Sequence, residues 1–166
     1  MAKRPFAHNE KNRERLMNID ESVPDFAFTA TNGLNSRLND YRGQYVVLYF
    51  YPKDATPGCT IEGQDFRDAY PQFQKLNTQI FGVSRDSLKS HENFKAKQNF
   101  PFELISDPDE QLCQLFEVIK MKSMYGKQVR GIERSTFIID PQGKLIKEWR
   151  KVSVKGHVDE VLSALK

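Results

Sequence analysis

Residues 45–66 read YVVLYFYPKDATPGCTIEGQDF, and how that stretch divides decides the fold of the chain. Its first seven residues, Tyr45 to Tyr51, are apolar or aromatic without a polar break. A run of that length with no alternation is a strand covered on both faces, as in the middle of a parallel sheet. Pro52 ends it, because proline has no N–H to give to a ladder. Lys53-Asp54-Ala55 form a polar loop, and Thr56-Pro57-Gly58-Cys59 open the next element. Thr56 suits the N-cap of a helix and Pro57 its first position, where a missing N–H costs nothing. Phe66, Tyr70, Phe73 and Leu76 recur at helical spacing, so a helix of about five turns is expected with Cys59 in its first turn.

That position changes the sulfur. Unpaired N–H groups and the positive end of the helix dipole stabilise a thiolate. The thiolate is the reactive form, and such sites bring a cysteine pKa from ~8.5 into the range ~3.5–7.5. Thr56, three residues earlier, is close enough to aim its hydroxyl at whatever the sulfur attacks, and Pro52 would screen the pocket from water. The plainer alternative is a small buried cysteine at an ordinary strand–helix junction, since free cysteine is often buried. Spacing alone leaves both open.

Residues 52–59, PKDATPGC, resemble the Pro-x-x-x-Thr-x-x-Cys signature of peroxiredoxins. The Thr-Pro-Gly-Cys form is similar to the PrxQ, or bacterioferritin comigratory protein, branch of the AhpC/TSA family. The likeness runs from about Val23 to the C-terminus through FGVSRDS (81–87), LISDPDEQLC (104–113) and MYGKQVRGIERSTFIIDPQGK (124–144). The resemblance implies a thioredoxin-like fold and a thiol peroxidase for hydrogen peroxide and organic hydroperoxides. Cys59 would be the peroxidatic nucleophile, passing through a sulfenic acid, with Thr56 bonding the peroxide and Pro52 shielding it. The late-strand arginine of the family matches Arg134, whose fixed charge would serve the thiolate and the departing oxygen. It also implies thioredoxin as reductant, or else glutaredoxin or glutathione, a monomer, and no metal, haem or flavin cofactor. In relatives a second, resolving thiol lies five residues after the first or in the following helix. Here those positions are Gln64 and Lys95. Cys113 is the only other thiol, and it reads as a semi-buried packing residue before a resolving cysteine, so a one-cysteine cycle is expected.

Composition agrees with a globular chain: 166 residues, 39% hydrophobic and 11% aromatic, with net charge +3. No apolar stretch is long enough to cross a membrane, and no apolar segment of a secretory signal follows the basic start. Two cysteines without framework spacing point to a reducing compartment, read as the cytoplasm. Much of the charge lies at the start, where Lys3, Arg4, Lys11, Arg13 and Arg15 face only Glu10 and Glu14. Residues 1–17 therefore read as a basic, flexible extension and 18–166 as one domain. The charge is too mild to imply nucleic acid. His8, His91 and His157 have no metal spacing, and Gly58 and Gly63 lack the lysine of a phosphate loop. A rival reading is a thioredoxin-fold binding or chaperone-like protein that holds partners with its basic start; a peroxide-consumption assay separates the two.

Taken in order, residues 24–30 alternate and meet Asn32-Gly33, a hairpin turn signal with 34–38 as the return strand. Further strands are expected at 79–84, 102–105, 134–140 and 144–150, and helices at 87–98, 109–116 and from Gly156 onward. The apolar face of the helix at 109–116 would be Leu112, Leu115 and Phe116, with Cys113 on its flank. His91 reads as structural or surface, and residues 119–129 as a loop. The alternation of strands and helices fits an α/β, three-layer α/β/α sandwich with a central mixed sheet and an N-terminal β-hairpin.

Overall fold

A strand rich in large apolar residues is stable only where both faces are covered, and Tyr45–Phe50 occupies such a place. The computed structural model describes residues 17–166, and the expected flexibility of the start lies outside them except for Met17, which packs into the core. The elements are β1 (Ala27–Ala30), β2 (Asn35–Arg37), β3 (Tyr45–Phe50), α1 (Pro57–Lys75), β4 (Thr78–Ser84), α2 (Leu88–Gln98), β5 (Glu103–Ser106) and α3 (Gln111–Leu115). They continue as β6 (Ile119–Met124), β7 (Lys127–Ile132), β8 (Ser135–Ile139), β9 (Leu145–Arg150) and α4 (His157–Leu165). Seven strands form one mixed sheet in the order β2-β1-β5-β4-β3-β8-β9.

β3 pairs in parallel with β4 and antiparallel with β8. Because successive side chains of a strand point to opposite faces, β3 feeds two cores. Val47, Tyr49 and Tyr51 join Phe66 and Phe73 of α1, Phe94 of α2 and Val161 of α4. Val46, Leu48 and Phe50 join Leu112 and Cys113 of α3, Phe116, and the N-terminal Val23, Phe26 and Phe28. The steps from β3 through α1 to β4 and through α2 to β5 run in one direction along the sheet. Right-handed crossovers of that kind put both helices on one face, and α3 packs on the other, which gives the three layers. Each fully buried side chain of β3 contributes about 1.5–3 kcal/mol over exposure.

The N-terminal hairpin forms as expected, with Asn32 at φ 61° and Gly33 at φ 67° in the left-handed turn that suits twisted strands. Residues 119–129 are not a loop. Most of that stretch is β6 and the start of β7, an antiparallel pair turned at Tyr125 (φ 52°) and Gly126 (φ 79°). The hairpin was hidden because most of its side chains are exposed, and an exposed ribbon has no need of apolar alternation. The face of α3 is also corrected. Leu112, Cys113 and Phe116 are buried, whereas Leu115 is only partly covered. The Asp107 carboxylate accepts hydrogen bonds from the Leu112 and Cys113 N–H groups, and this start turns Cys113 inward.

Candidate active site

The chain leaves β3 at Phe50 and crosses the turn from Tyr51 to Thr56 before α1 begins at Pro57. Thr56 has extended backbone angles (φ −84°, ψ 156°), as an N-cap residue should, but its side chain makes no capping bond. The hydroxyl instead donates to the Lys53 carbonyl at 2.8 Å. The expected cap is thus replaced by a bond that closes the turn, and the hydroxyl oxygen keeps lone pairs to accept a further hydrogen. Ala55 sits at φ 62°, a left-handed conformation that costs a residue with a Cβ roughly 1–2 kcal/mol. Pro52 is half-buried beside this turn.

Cys59 lies in the first turn of α1 and is 2% exposed. Arg134, in the short link between β7 and β8, reaches across the end of the sheet to it, with Nη2 donating to Sγ at 3.5 Å. Gly58 gives this approach room: a Cβ there would sit 3.2 Å from Arg134 Nη2, tighter than an ordinary contact. The other guanidinium nitrogen, Nη1, donates to Glu62 Oε1 at 2.7 Å. Glu62 is fully buried, and burial pushes its carboxyl up to about 7 although the Arg134 charge pulls the other way. Its second oxygen, Oε2, has no partner; among the described residues only the Tyr49 hydroxyl shares that condition. Lys122 on β6 donates to the Ile132 carbonyl, and burial beside Arg134 lowers its pKa.

Thr56, Cys59 and Arg134 are therefore brought together by the turn, the helix start and the strand link. Glu62 escaped the sequence reading, although a signal was present. Cys59, Glu62, Gly63, Phe66, Ala69, Tyr70 and Phe73 line the buried side of α1, and a lone carboxylate within such a stripe needs a charged partner. Lys122 escaped because its segment was read as a loop.

Cys113 lies elsewhere. It belongs to the core under the opposite face of the sheet, and neither cysteine is in a disulfide. Burial and the neighbouring Asp107 carboxylate push its thiol pKa far up. Of the positions that hold a second thiol in relatives, Gln64 donates to Gln98 of α2 at 2.9 Å and Lys95 pairs with Glu103 of β5 at 3.5 Å.

His91 is buried on α2 and has the carboxylate partner that local spacing did not reveal: its Nδ1 is 2.7 Å from Asp54 Oδ2. Asp54, Asp86 and His91 bring ligand-type atoms within 4.8 Å of one another, an arrangement that could suit a cation. Those atoms are already engaged, however. Asp54 Oδ1 accepts from Tyr51 Oη, Asp54 Oδ2 from Ser90, His91 Nε2 meets the Ile105 carbonyl, and Asp86 Oδ2 accepts from Ser84 and the Asp54 N–H. The cluster is a closed hydrogen-bond network.

The model of the AhpC/TSA family matches residues 19–148. Peroxiredoxin Bcp of Xanthomonas campestris pv. campestris is 52% identical over 153 residues, covering 92% of this chain and 96% of its own. Peroxiredoxin Bcp of Bacillus subtilis is 52% identical over 148 residues, covering 89% and 94%. A solved structure of the Xanthomonas campestris bacterioferritin comigratory protein, studied for alkyl peroxide reduction, superposes with TM-score 0.81 at 55% identity, covering 84% of this chain and 89% of that one. With the signature turn, the thiol at a helix start and a family match over most of its length, this chain belongs to the AhpC/TSA family and is a peroxiredoxin, a thiol peroxidase.

Proposed function

We propose that Cys59 is the peroxidatic nucleophile and that the enzyme runs a one-cysteine cycle. The observation that carries this reading is the Arg134 guanidinium 3.5 Å from a sulfur in the first turn of α1. A fixed cation and a helix start both favour the thiolate. The thiolate attacks the terminal oxygen of the hydroperoxide. An S–O bond forms as the O–O bond breaks; a proton of the peroxide goes to the departing oxygen, so water or an alcohol leaves, and the sulfenate left on Cys59 takes a proton from solvent to become the sulfenic acid. Arg134 faces the negative charge on the attacking sulfur and, as it moves, on the departing oxygen. The Thr56 hydroxyl, its hydrogen committed to Lys53, accepts the hydrogen of the peroxide. Pro52 walls the pocket. Hydrogen peroxide and organic hydroperoxides are the substrates; the alkyl peroxide reduction studied in the Xanthomonas campestris protein supports the second class.

An external thiol then attacks the sulfenic acid. Thioredoxin is the proposed donor, with glutaredoxin or glutathione as alternatives. Cys113 is disfavoured as a resolving residue because the sheet stands between the two sulfurs. The remaining assignments are a monomer in the cytoplasm, with one domain after a basic extension. Among the described residues no helix is long and apolar enough to cross a membrane. The test is mass mapping after one equivalent of peroxide: a sulfenic acid on Cys59, trapped by a dimedone-type reagent, is expected. A stoichiometric Cys59–Cys113 crosslink with turnover lost in Cys113→Ser would overturn the one-cysteine cycle.

A further inference from the structure

The turn that carries Thr56 is not stable by its own chemistry. Ala55 is held in a left-handed conformation, and the bond from Thr56 to Lys53 spans only the turn itself. What fixes it to the body of the protein is Asp54. Its buried carboxylate receives Tyr51 Oη at 2.6 Å, Ser90 Oγ at 2.7 Å and His91 Nδ1 at 2.7 Å. The Asp54 N–H is held by Asp86 Oδ2 at 3.0 Å. Every side-chain bond to that carboxylate except the one from Tyr51 comes from α2, so the peroxide-binding turn is fastened to a helix that contributes no atom to the chemistry.

His91 shows the kind of fastening this is. One ring nitrogen faces a carboxylate, and the other lies 2.9 Å from the Ile105 carbonyl, which can only accept. The carbonyl fixes a hydrogen on Nε2, and Nδ1 is left to share a hydrogen bond with the Asp54 carboxyl group. The side chains of His91 and Asp54 are 0% and 4% exposed. This is a polar pair removed from solvent, and such pairs are geometrically demanding because a displaced partner leaves a buried polar group unsatisfied. We propose that Asp54 and His91 are positioning residues of the peroxidase site. As a buried, hydrogen-bonded histidine–carboxyl pair they clamp the turn at residues 52–56 onto α2, holding the Thr56 hydroxyl where it meets the peroxide.

The proposal rests on Cys59 as the reacting thiol, and it separates two reactions of that thiol. Oxidation by hydrogen peroxide needs both the thiolate and an aligned Thr56 hydroxyl. Alkylation by iodoacetamide needs the thiolate alone. In Asp54→Asn and His91→Asn, stopped-flow oxidation of Cys59 by hydrogen peroxide should slow roughly tenfold or more, since small misplacements of a reacting group have effects of that order. The alkylation rate should hold or rise. Oxidation at the wild-type rate overturns the proposal, and so does a parallel fall of both reactions, which marks a general loss of the site. Should either variant fail to fold, Ser90→Ala and Tyr51→Phe each remove one bond to Asp54 and leave its contact with His91. A smaller but selective slowing of oxidation is then expected, and its absence in both overturns the clamp. Cys59→Ser, assayed alongside, tells the two readings apart. If it still consumes peroxide, the assignment of Cys59 fails; if it is inactive while Asp54→Asn is unimpaired, only the clamp fails.

Discussion

The two cysteines of this chain are both buried, one beneath each face of the same sheet, yet their surroundings are opposite in sign. Cys59 begins a 19-residue helix and accepts a hydrogen bond from Arg134. Cys113 lies in a five-residue helix beside the Asp107 carboxylate, and its thiol is held protonated by burial and that charge. Exposure does not distinguish them, at 2% and 0%. A cation and a helix start stand against an anion and an apolar wall, and the proposed choice of Cys59 as the nucleophile rests on this difference. The contrast extends outward: the face around Cys59 also holds Glu62 and the Asp54–His91 pair.

The strongest way to break the comparison is to remove each sulfur in turn. Cys59→Ser should abolish thiol-dependent peroxide consumption with the fold intact, because a serine hydroxyl does not ionise there. Cys113→Ser should remain catalytically competent. Equal losses in a coupled peroxidase assay would mean that the two faces cooperate.

A pH dependence should belong to one face only. Glu62 is held up at about 7 against an ordinary value of 4.5, so the folded protein keeps a proton that the unfolded chain has released. The stabilisation from this group is complete below pH 4.5 and is lost as the pH rises through 7, by about 3 kcal/mol at most. Cys113, whose thiol is pushed upward, adds no slope in that window. Urea unfolding of wild type and Glu62→Gln across this range should show the fall with pH removed in the variant, leaving the opposite, rising slope of His157, whose imidazole pKa is lowered by burial; parallel curves would remove Glu62 from the titration.

Next in size is Thr56→Val, which should slow the peroxide step roughly a hundredfold while Thr56→Ser stays close to wild type, since the proposed contact with the peroxide is made by the hydroxyl alone. Equal rates in the two would show that the hydroxyl acts only within the turn. Arg134→Met should slow Cys59 oxidation by hydrogen peroxide roughly tenfold, since it removes the fixed cation beside the sulfur. An unchanged rate would leave the helix start as the source of contrast between the sulfurs. The smallest effect is expected of Ala55→Gly, which relieves a left-handed residue and should raise stability by up to about 1 kcal/mol in thermal unfolding. A fall instead would show that the Ala55 methyl packs usefully.

What the sequence alone determined is what neighbouring residues decide among themselves. The apolar run of β3, the Pro57 start and helical period of α1, and the left-handed Asn32-Gly33 turn were all legible because their physics is local. Cys59 at a helix start was legible on the same terms; Arg134 had to be matched by resemblance, since a charged residue beside a strand has many possible reasons. Tertiary structure decided the rest. It joined Arg134 to Cys59 and Glu62 across 75 and 72 residues, and Asp54 to His91 across 37. It gave the Thr56 hydroxyl to Lys53 in place of a cap, made an exposed hairpin of a stretch without apolar pattern, and put the sheet between the two sulfurs. Periodicity reports which side of an element is apolar, but the partner of a buried charge is chosen by packing between elements far apart in the chain, and no local pattern encodes it.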